Sequence, residues 1–352
     1  MKHRITTIFI ATIFFADCHK ADTTTPDTFP ATEQTVLNDF TDHVAIAQYS
    51  NLTTAALDLN AKINALNVDA TDANLNAAQT SWKNLRTVWE QCEGFLFGPV
   101  EDNEYDPQMD TWPTDANQFD SLLASNNNLE LADIQLLPYN LRGFHPVEYL
   151  IFGENGSKKA SDLTARQKKY MVSATMDIVN ICNSLYASWT EPPTDFEAQV
   201  KTAANGSTVY STKQEVFMAI VGAMQGIAEE VGDGKMKEPF DARDPKIVES
   251  PYSGNSTFDF KNNITGLQTV YLGRNGSTGI TNLVSLRNKS LDNTIRSQIT
   301  AAINSFDNIT EPYEQAIIDQ RSQVQQTMNA VNTLNETIEE QLVPFIQQQV
   351  KD

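Results

Sequence analysis

The chain has 352 residues, 40% of them hydrophobic and 9% aromatic, with a formal net charge of −20. That much apolar material excludes wholesale disorder, and the length exceeds what a single core usually organises, so two domains are expected. The charge excludes nucleic acid as a partner, because phosphate repulsion would have to be overcome without a basic patch. An acidic surface attracts cations and basic ligands, although its commonest meaning is solubility.

The N-terminus reads as a targeting segment. Lys2, His3 and Arg4 precede an apolar run from Ile5 to Phe15, which has signal-peptide length and is too short to span a bilayer. The run ends in Phe15-Ala16-Asp17-Cys18, which resembles a bacterial lipobox with Cys18 as the lipidated first mature residue, apart from Asp17 where a small residue is usual. Cleavage by an ordinary signal peptidase is the alternative. Residues 1–17 are thus expected to be a signal peptide. Residues 18–32, rich in Thr, Asp and Pro, are expected to be a lipidated, flexible tether to a membrane of the bacterial cell envelope. Cys92 and Cys182 then remain, both on apolar helix faces, either as buried thiols or as a disulfide.

Apolar residues recur in steps of three and four nearly everywhere. Leu75, Ala78, Trp82, Leu85, Trp89, Cys92 and Leu96 form one stripe; Met171, Ala174, Ile178, Ile181 and Leu185 a second; Phe217, Ile220, Met224, Ile227 and Val231 a third. Tyr313, Ile317, Val324, Met328, Val331, Ile338 and Leu342 continue the pattern near the C-terminus. Such stripes predict amphipathic helices that bury one face by bundling, an all-α fold. Glu191-Pro192-Pro193 and Asn205-Gly206-Ser207 interrupt it, which predicts helical-bundle domains over 33–195 and 205–352. Region 98–128 is polar, irregular and long for a loop, as functional loops often are. An eleven-residue echo, Asn140 to Leu150 against Asn263 to Gly273, aligns Gly143 with Gly266, His145 with Gln268 and Glu148 with Tyr271. It reads as a diverged duplication of a helical unit that keeps its ionisable pair in one copy.

Chemistry rests on few residues. Beyond His3 and His19 the chain has only His43, without a partner pattern, and His145. A multi-histidine zinc site is excluded, and neither a nucleophile elbow nor a phosphate-binding glycine loop is present. His145 and Glu148 are three apart and share a helix face, as in metal sites of bundles; equally, Pro146 and Glu148 suit the first turn of a helix with Glu148 closing a cap. Asp102, Asp106, Asp110 and Asp115 are further oxygen donors that spacing does not rank.

Arg142-Gly143-Phe144-His145-Pro146-Val147-Glu148 resembles the Gly-X-His-X-X-Glu motif of the imelysin family of insulin-cleaving membrane proteases. Trp82, Arg86, Trp89 and Glu93-Gly94-Phe95-Leu96-Phe97-Gly98-Pro99, with Trp112-Pro113 downstream, resemble its N-terminal block. Glu249-Ser250-Pro251-Tyr252-Ser253 and Gly266 to Gly273 resemble its C-terminal one. The resemblance implies two helical bundles with a site at their interface, centred on His145 and Glu148, with Glu93 as third metal ligand or proton acceptor. Arg86 and Arg142 would keep these carboxylates ionised or lie in solvent. Trp82, Trp89 and Trp112 would pack the core, or Trp112 would face a ligand. Ser250 and Ser253 would cap a helix or complete the site.

The resemblance supports three functional expectations. The first is a non-enzymatic, lipid-anchored envelope protein, periplasmic or surface-exposed, that binds a metal ion for uptake or sensing alongside iron-uptake partner proteins. Mixed N and O donors suit iron better than zinc. The second is a metallopeptidase with Glu148 or Glu93 as general base. The third is a peptide- or small-ligand-binding module without metal.

Overall fold

A computed structural model describes residues 27–351, and no strand occurs among them. The expected signal peptide, Cys18 and residues 18–26 of the expected tether lie outside the described residues. Among the described residues, the helices that frame the site are α1 (Phe29–Asp39), α2 (Ile46–Val68), α3 (Asp72–Cys92), α4 (Phe144–Phe152), α5 (Ala165–Thr190), α6 (Lys213–Glu229), α7 (Ser256–Leu272), α8 (Lys289–Ser305) and α9 (Arg321–Thr337). Because α1 starts at Phe29, with that ring buried, the last four residues read as flexible tether are helical instead. No helix among the described residues is long and apolar enough to cross a membrane.

The stripes read from the sequence are the buried faces. Leu75, Ala78, Trp82, Leu85, Trp89 and Cys92 are all covered on α3, as are the stripes on α5 and α6. Each fully covered large apolar side chain contributes roughly 1.5–3 kcal/mol of transfer free energy, which makes these faces the main source of helix stability. Polar residues set the ends. Thr71 accepts the Asn74 amide at the start of α3, and reciprocal caps Thr164–Gln167 and Thr212–Glu215 open α5 and α6. Helix α5 stops at Thr190, just before Glu191-Pro192-Pro193, because proline cannot continue the hydrogen-bond ladder.

Helix α2 packs between α3 and α5, while the other side of α3 lies on α7, which in turn meets α6 and α8. The two central helices touch through glycines. A Cβ on Gly94, just past the end of α3, would lie 2.6 Å from the carbonyl carbon of Gly266 in α7, and a Cβ on Gly266 would collide with the Gln91 carbonyl. The buried apolar residues form one continuous cluster through both halves of the chain.

The echo between 140–150 and 263–273 does not correspond to a repeated backbone. Gly143 precedes α4 with φ +85°, whereas Gly266 lies inside α7. Similar residues there serve different local geometries: a left-handed turn in one case, close helix packing in the other. Region 98–128 is irregular, as expected, but carries short helices at Pro99–Asp102, Tyr105–Asp110 and Ala116–Ala124. Cys92 and Cys182 are free and buried, so the disulfide alternative is set aside.

Candidate functional site

Where α3 meets α7, the interior is polar. Arg86, Glu90, Glu93, Asp110, His145, Glu148, Lys235, Glu249, Ser250, Asp259 and Asn263 are all buried. Carboxyl side chains outnumber cationic ones in this cluster, an arrangement that costs heavily unless each charge is paired, protonated or neutralised by a bound ion.

Arg86 is the hub. Turned inward from α3, it pairs with Glu90 one turn on and with Asp110, reaches Glu249 at 2.8 Å, and lies 3.9 Å from Asp259. A guanidinium with five fixed donors can serve several carboxylates at once. Its face also stacks over Phe144, 5.1 Å from the ring centre. Lys235 is the second cation, with Nζ at 2.9 Å from Glu93, 3.1 Å from Glu249 and 3.6 Å from Glu90, and 5.5 Å from the centre of the Trp112 ring. It arrives from a π-helical turn, Glu230–Lys235, that extends α6. The extra residue in such a turn re-aims the side chain beyond it.

His145 sits in the first turn of α4. Gly143 makes that start possible: it has positive φ, and any Cβ there would collide with the Met109 carbonyl. This close approach sets α4 against the end of the short helix that carries Asp110. Nε2 of His145 is 2.8 Å from Asp110 Oδ1, and Nδ1 is 3.3 Å from Glu148 Oε2. The other oxygen of Glu148 accepts the amides of Tyr252 and Ser253, at 3.1 and 2.8 Å. Trp89 Nε1 donates to Asp110 Oδ2 at 2.6 Å, while Trp82 Nε1 donates to the Phe144 carbonyl at 3.1 Å. Ser250 Oγ and Asn255 Nδ2 both donate to Asp259, at 2.7 and 2.6 Å. Asn263 Nδ2 spans Glu90 and Glu93 at 2.6 and 2.5 Å.

Burial pulls the His145 pKa down, but the hydrogen bonds to Asp110 and Glu148 overcome it and raise it to about 9. Burial opposes ionisation of Asp110, yet Arg86 and His145 hold its carboxyl well below the usual range. Burial and the neighbouring Glu90 charge push Glu93 well up, against the pull of Lys235. Burial does the same to Asp259 and, more mildly, to Glu90. Asp106, beside the cluster, rises to about 7 through burial and the charge of Asp110. The interior therefore holds more proton-binding capacity than its two permanent cations neutralise.

The residues expected from the sequence fall into distinct places. His145, Glu148, Glu93 and Arg86 do belong to one cluster, but not as the expected three-ligand set. One donor atom each from Asp110, His145 and Glu249 lies within 4.8 Å of the others. Glu148 instead stands behind His145 and ties it to the Tyr252–Ser253 backbone. The capping role weighed for Glu148 is not found, since Gly143 is the N-cap and no side chain caps α4. Ser250 and Ser253 are not helix caps either; Ser250 bonds Asp259, and Ser253 offers its amide to Glu148. Arg142 points elsewhere: it bonds the Gln135 carbonyl and Gln108 Oε1 at 2.8 and 2.6 Å and lies 3.7 Å from Asp177. Its effect on the site is to anchor the short helix carrying Asp110. Trp112 faces Lys235, and His43 is exposed beside Asp39.

Sequence reasoning passed over Glu90, Lys235, Asp259 and Asn263. A signal existed for Glu90, a charged residue one turn from Arg86 on a helix face otherwise carrying tryptophans. No periodicity pointed to Lys235, because the π-turn shifts its register.

The sequence profile of the imelysin family matches residues 45–341. Iron-regulated protein A of Synechococcus elongatus is 25% identical over 324 residues, covering 90% of this chain and 87% of its own. Among solved structures, an iron-regulated protein A precursor from Parabacteroides distasonis superposes with a TM-score of 0.82 at 22% identity, covering 91% of this chain and 95% of that one. An imelysin-like protein from Psychrobacter arcticum does so with a TM-score of 0.75 at 15% identity, over 92% and 98%. At these identities the two structures establish the shared fold. The span matched by the profile contains every side chain of the buried cluster, and the chain belongs to the imelysin family.

Proposed function

We propose that this protein is a lipid-anchored protein of the cell envelope that binds a metal ion, iron in the first instance, for uptake or sensing rather than for peptide hydrolysis. Asp110, His145 and Glu249 would be the direct donors. The observation that carries the reading is their convergence in an interior where carboxyl groups exceed cations and where Glu249 Oε2 has no hydrogen-bond partner. A buried, unsatisfied carboxylate oxygen is costly and calls for a compensating group. One imidazole nitrogen with carboxylate oxygens is a hard, mixed donor set suited to iron or manganese. The name of the Synechococcus relative, iron-regulated protein A, agrees with this choice.

Each remaining residue has a part. Glu148 orients the His145 ring through Nδ1, the usual role of a carboxylate behind a metal-binding histidine. Arg86 and Lys235 hold the surplus carboxylates in place. Both oxygens of Glu148 are engaged and its side chain is covered, which supports a binding role over that of a general base acting on a peptide. Export and anchoring rest on the N-terminal apolar run and Cys18.

The test is metal analysis of the full chain purified without a nickel column, followed by iron titration of the wild type, His145→Ala and Glu249→Gln. The expectation is stoichiometric metal in the wild type and at least tenfold weaker iron binding in both variants. Iron affinity unchanged in both would sink the proposal. Cleavage of a denatured protein substrate that disappears in Glu148→Ala would replace it with the peptidase reading.

A further inference from the structure

Outside the buried cluster, a pocket of about 240 Å³ lies between α5 and the short helix Tyr105–Asp110. Pockets for drug-sized ligands enclose roughly 300–1,000 Å³, so an occupant here must be smaller. Asp177, Asn180 and Ser184 reach the pocket from α5, at the three-and-four spacing of a single helix face. Gln108, Gln135 and Arg142 line it from the surrounding segments. None of these residues belongs to the donor set formed by Asp110, His145 and Glu249.

The lining contains an ion pair that is not completed. Arg142 and Asp177 are only 4% and 2% exposed, yet Arg142 Nε and Asp177 Oδ2 have no hydrogen-bond partner. The two atoms lie 3.7 Å apart, too far for a hydrogen bond to each other. The rest of the guanidinium is committed: Nη1 donates to the Gln135 carbonyl and Nη2 to Gln108 Oε1. A covered donor and a covered acceptor left unmade are both costly. One group placed beside them, accepting from Nε and donating to Oδ2, would satisfy both at once.

We propose that this pocket binds a small, neutral, polyhydroxyl ligand, of monosaccharide size, through the Arg142–Asp177 pair. A hydroxyl is the simplest group that accepts and donates at a single atom, which is what the two orphaned atoms require. The charges of Arg142 and Asp177 offset each other, so an ion attracted by one would be repelled by the other. Half-buried Asn180 and exposed Ser184 add groups at the rim that both donate and accept. Tyr105 and Ile181 supply apolar surface for the C–H face of a ring. This site is independent of the metal-binding reading above.

The test uses the full chain with glucose, galactose and N-acetylglucosamine as probes and glycine as a zwitterionic control. Saturation-transfer NMR and calorimetric titration read the binding. At least one sugar is expected to bind saturably, one per chain, and glycine is expected not to bind. Asp177→Asn exchanges the carboxylate for a neutral amide of the same shape, and Ser184→Trp closes the rim from an exposed position. Each should weaken that sugar at least tenfold, with circular dichroism confirming that the variant folds. Arg142 is left in place because it also anchors the helix carrying Asp110. The methyl glycoside of the bound sugar separates two sources: retained affinity points to a sugar at the end of a glycan, lost affinity to a free one, and both support polyol recognition. Absence of saturable sugar binding to the wild type, leaving the pair to water alone, overturns the proposal, as does wild-type affinity in either variant. Glycine binding that disappears in Asp177→Asn replaces the polyol with a zwitterion.

Discussion

The pairing of His145 with Glu148 makes a prediction that can be worked through in full. In the metal-free protein, His145 is held protonated by Asp110 and Glu148 against the cost of burial, with its pKa raised from 6.5 to about 9. A group whose folded pKa is raised contributes stability that is fully present below its unfolded value and is lost as pH rises through the folded one. The window here is therefore pH 6.5 to 9, and the shift corresponds to roughly 3 kcal/mol. Glu148→Gln keeps an acceptor for the Tyr252 and Ser253 amides but replaces the anionic partner of Nδ1 with a neutral amide. The His145 pKa should fall, the window should shift downward, and part of that stabilisation should vanish at pH 7. Burial raises Glu93 and Asp259 as well, and their effect on stability has the same sign. The measurement is therefore a difference: urea unfolding with chelator present, from pH 6 to 9.5, for the wild type, Glu148→Gln and His145→Gln. The wild type minus His145→Gln should lose about 3 kcal/mol across the window, with the imidazole proton resonance of His145 reporting the same midpoint. A pH-independent difference, or a midpoint unmoved by Glu148→Gln, would refute the reasoning.

Removing the hub should be more damaging. Arg86→Met strands Glu90, Asp110 and Glu249 without their shared guanidinium, and a buried ion pair broken from one side costs about 3–5 kcal/mol; denaturant unfolding measures it. Arg86→Lys should recover little, since one ammonium cannot reproduce the planar fork. Gly266→Ala tests the central contact: its methyl meets the Gln91 carbonyl, so α3 and α7 must move apart at a cost of about 1–3 kcal/mol. Thermal unfolding should show the loss, and an unchanged midpoint would mean that the two helices adjust freely.

The all-helical architecture was legible because its causes are local. The stripes on α3, α5 and α6 have helical period, the caps Thr71, Thr164 and Thr212 stand at their starts, and Pro192-Pro193 stands after the end of α5. His145 was legible by elimination, as a histidine in a distinctive turn sequence. Two other readings failed for a physical reason. The echo around Gly143 and Gly266 looked like a repeat because glycine is needed for different things, a left-handed turn in one place and close helix packing in the other. Glu148 looked like a cap because three-residue spacing suits a cap as well as a side-chain pair on one face.

The sequence by itself determined helix content and the buried faces, and it singled out the segment from Gly143 to Glu148, whose His145 and Glu148 lie in the buried polar cluster. Only the tertiary structure decided the composition of the site. Asp110 comes from a short helix in an irregular region, Glu249 from the segment before α7, and Lys235 from a π-turn that breaks the period on which sequence reading depends. These residues are neighbours because α3 and α7 approach through Gly94 and Gly266, a contact between positions far apart in the chain. Spacing along the chain ranks residues that share a helix face. It carries no information about which carboxylates a packed interior will force to share one cation.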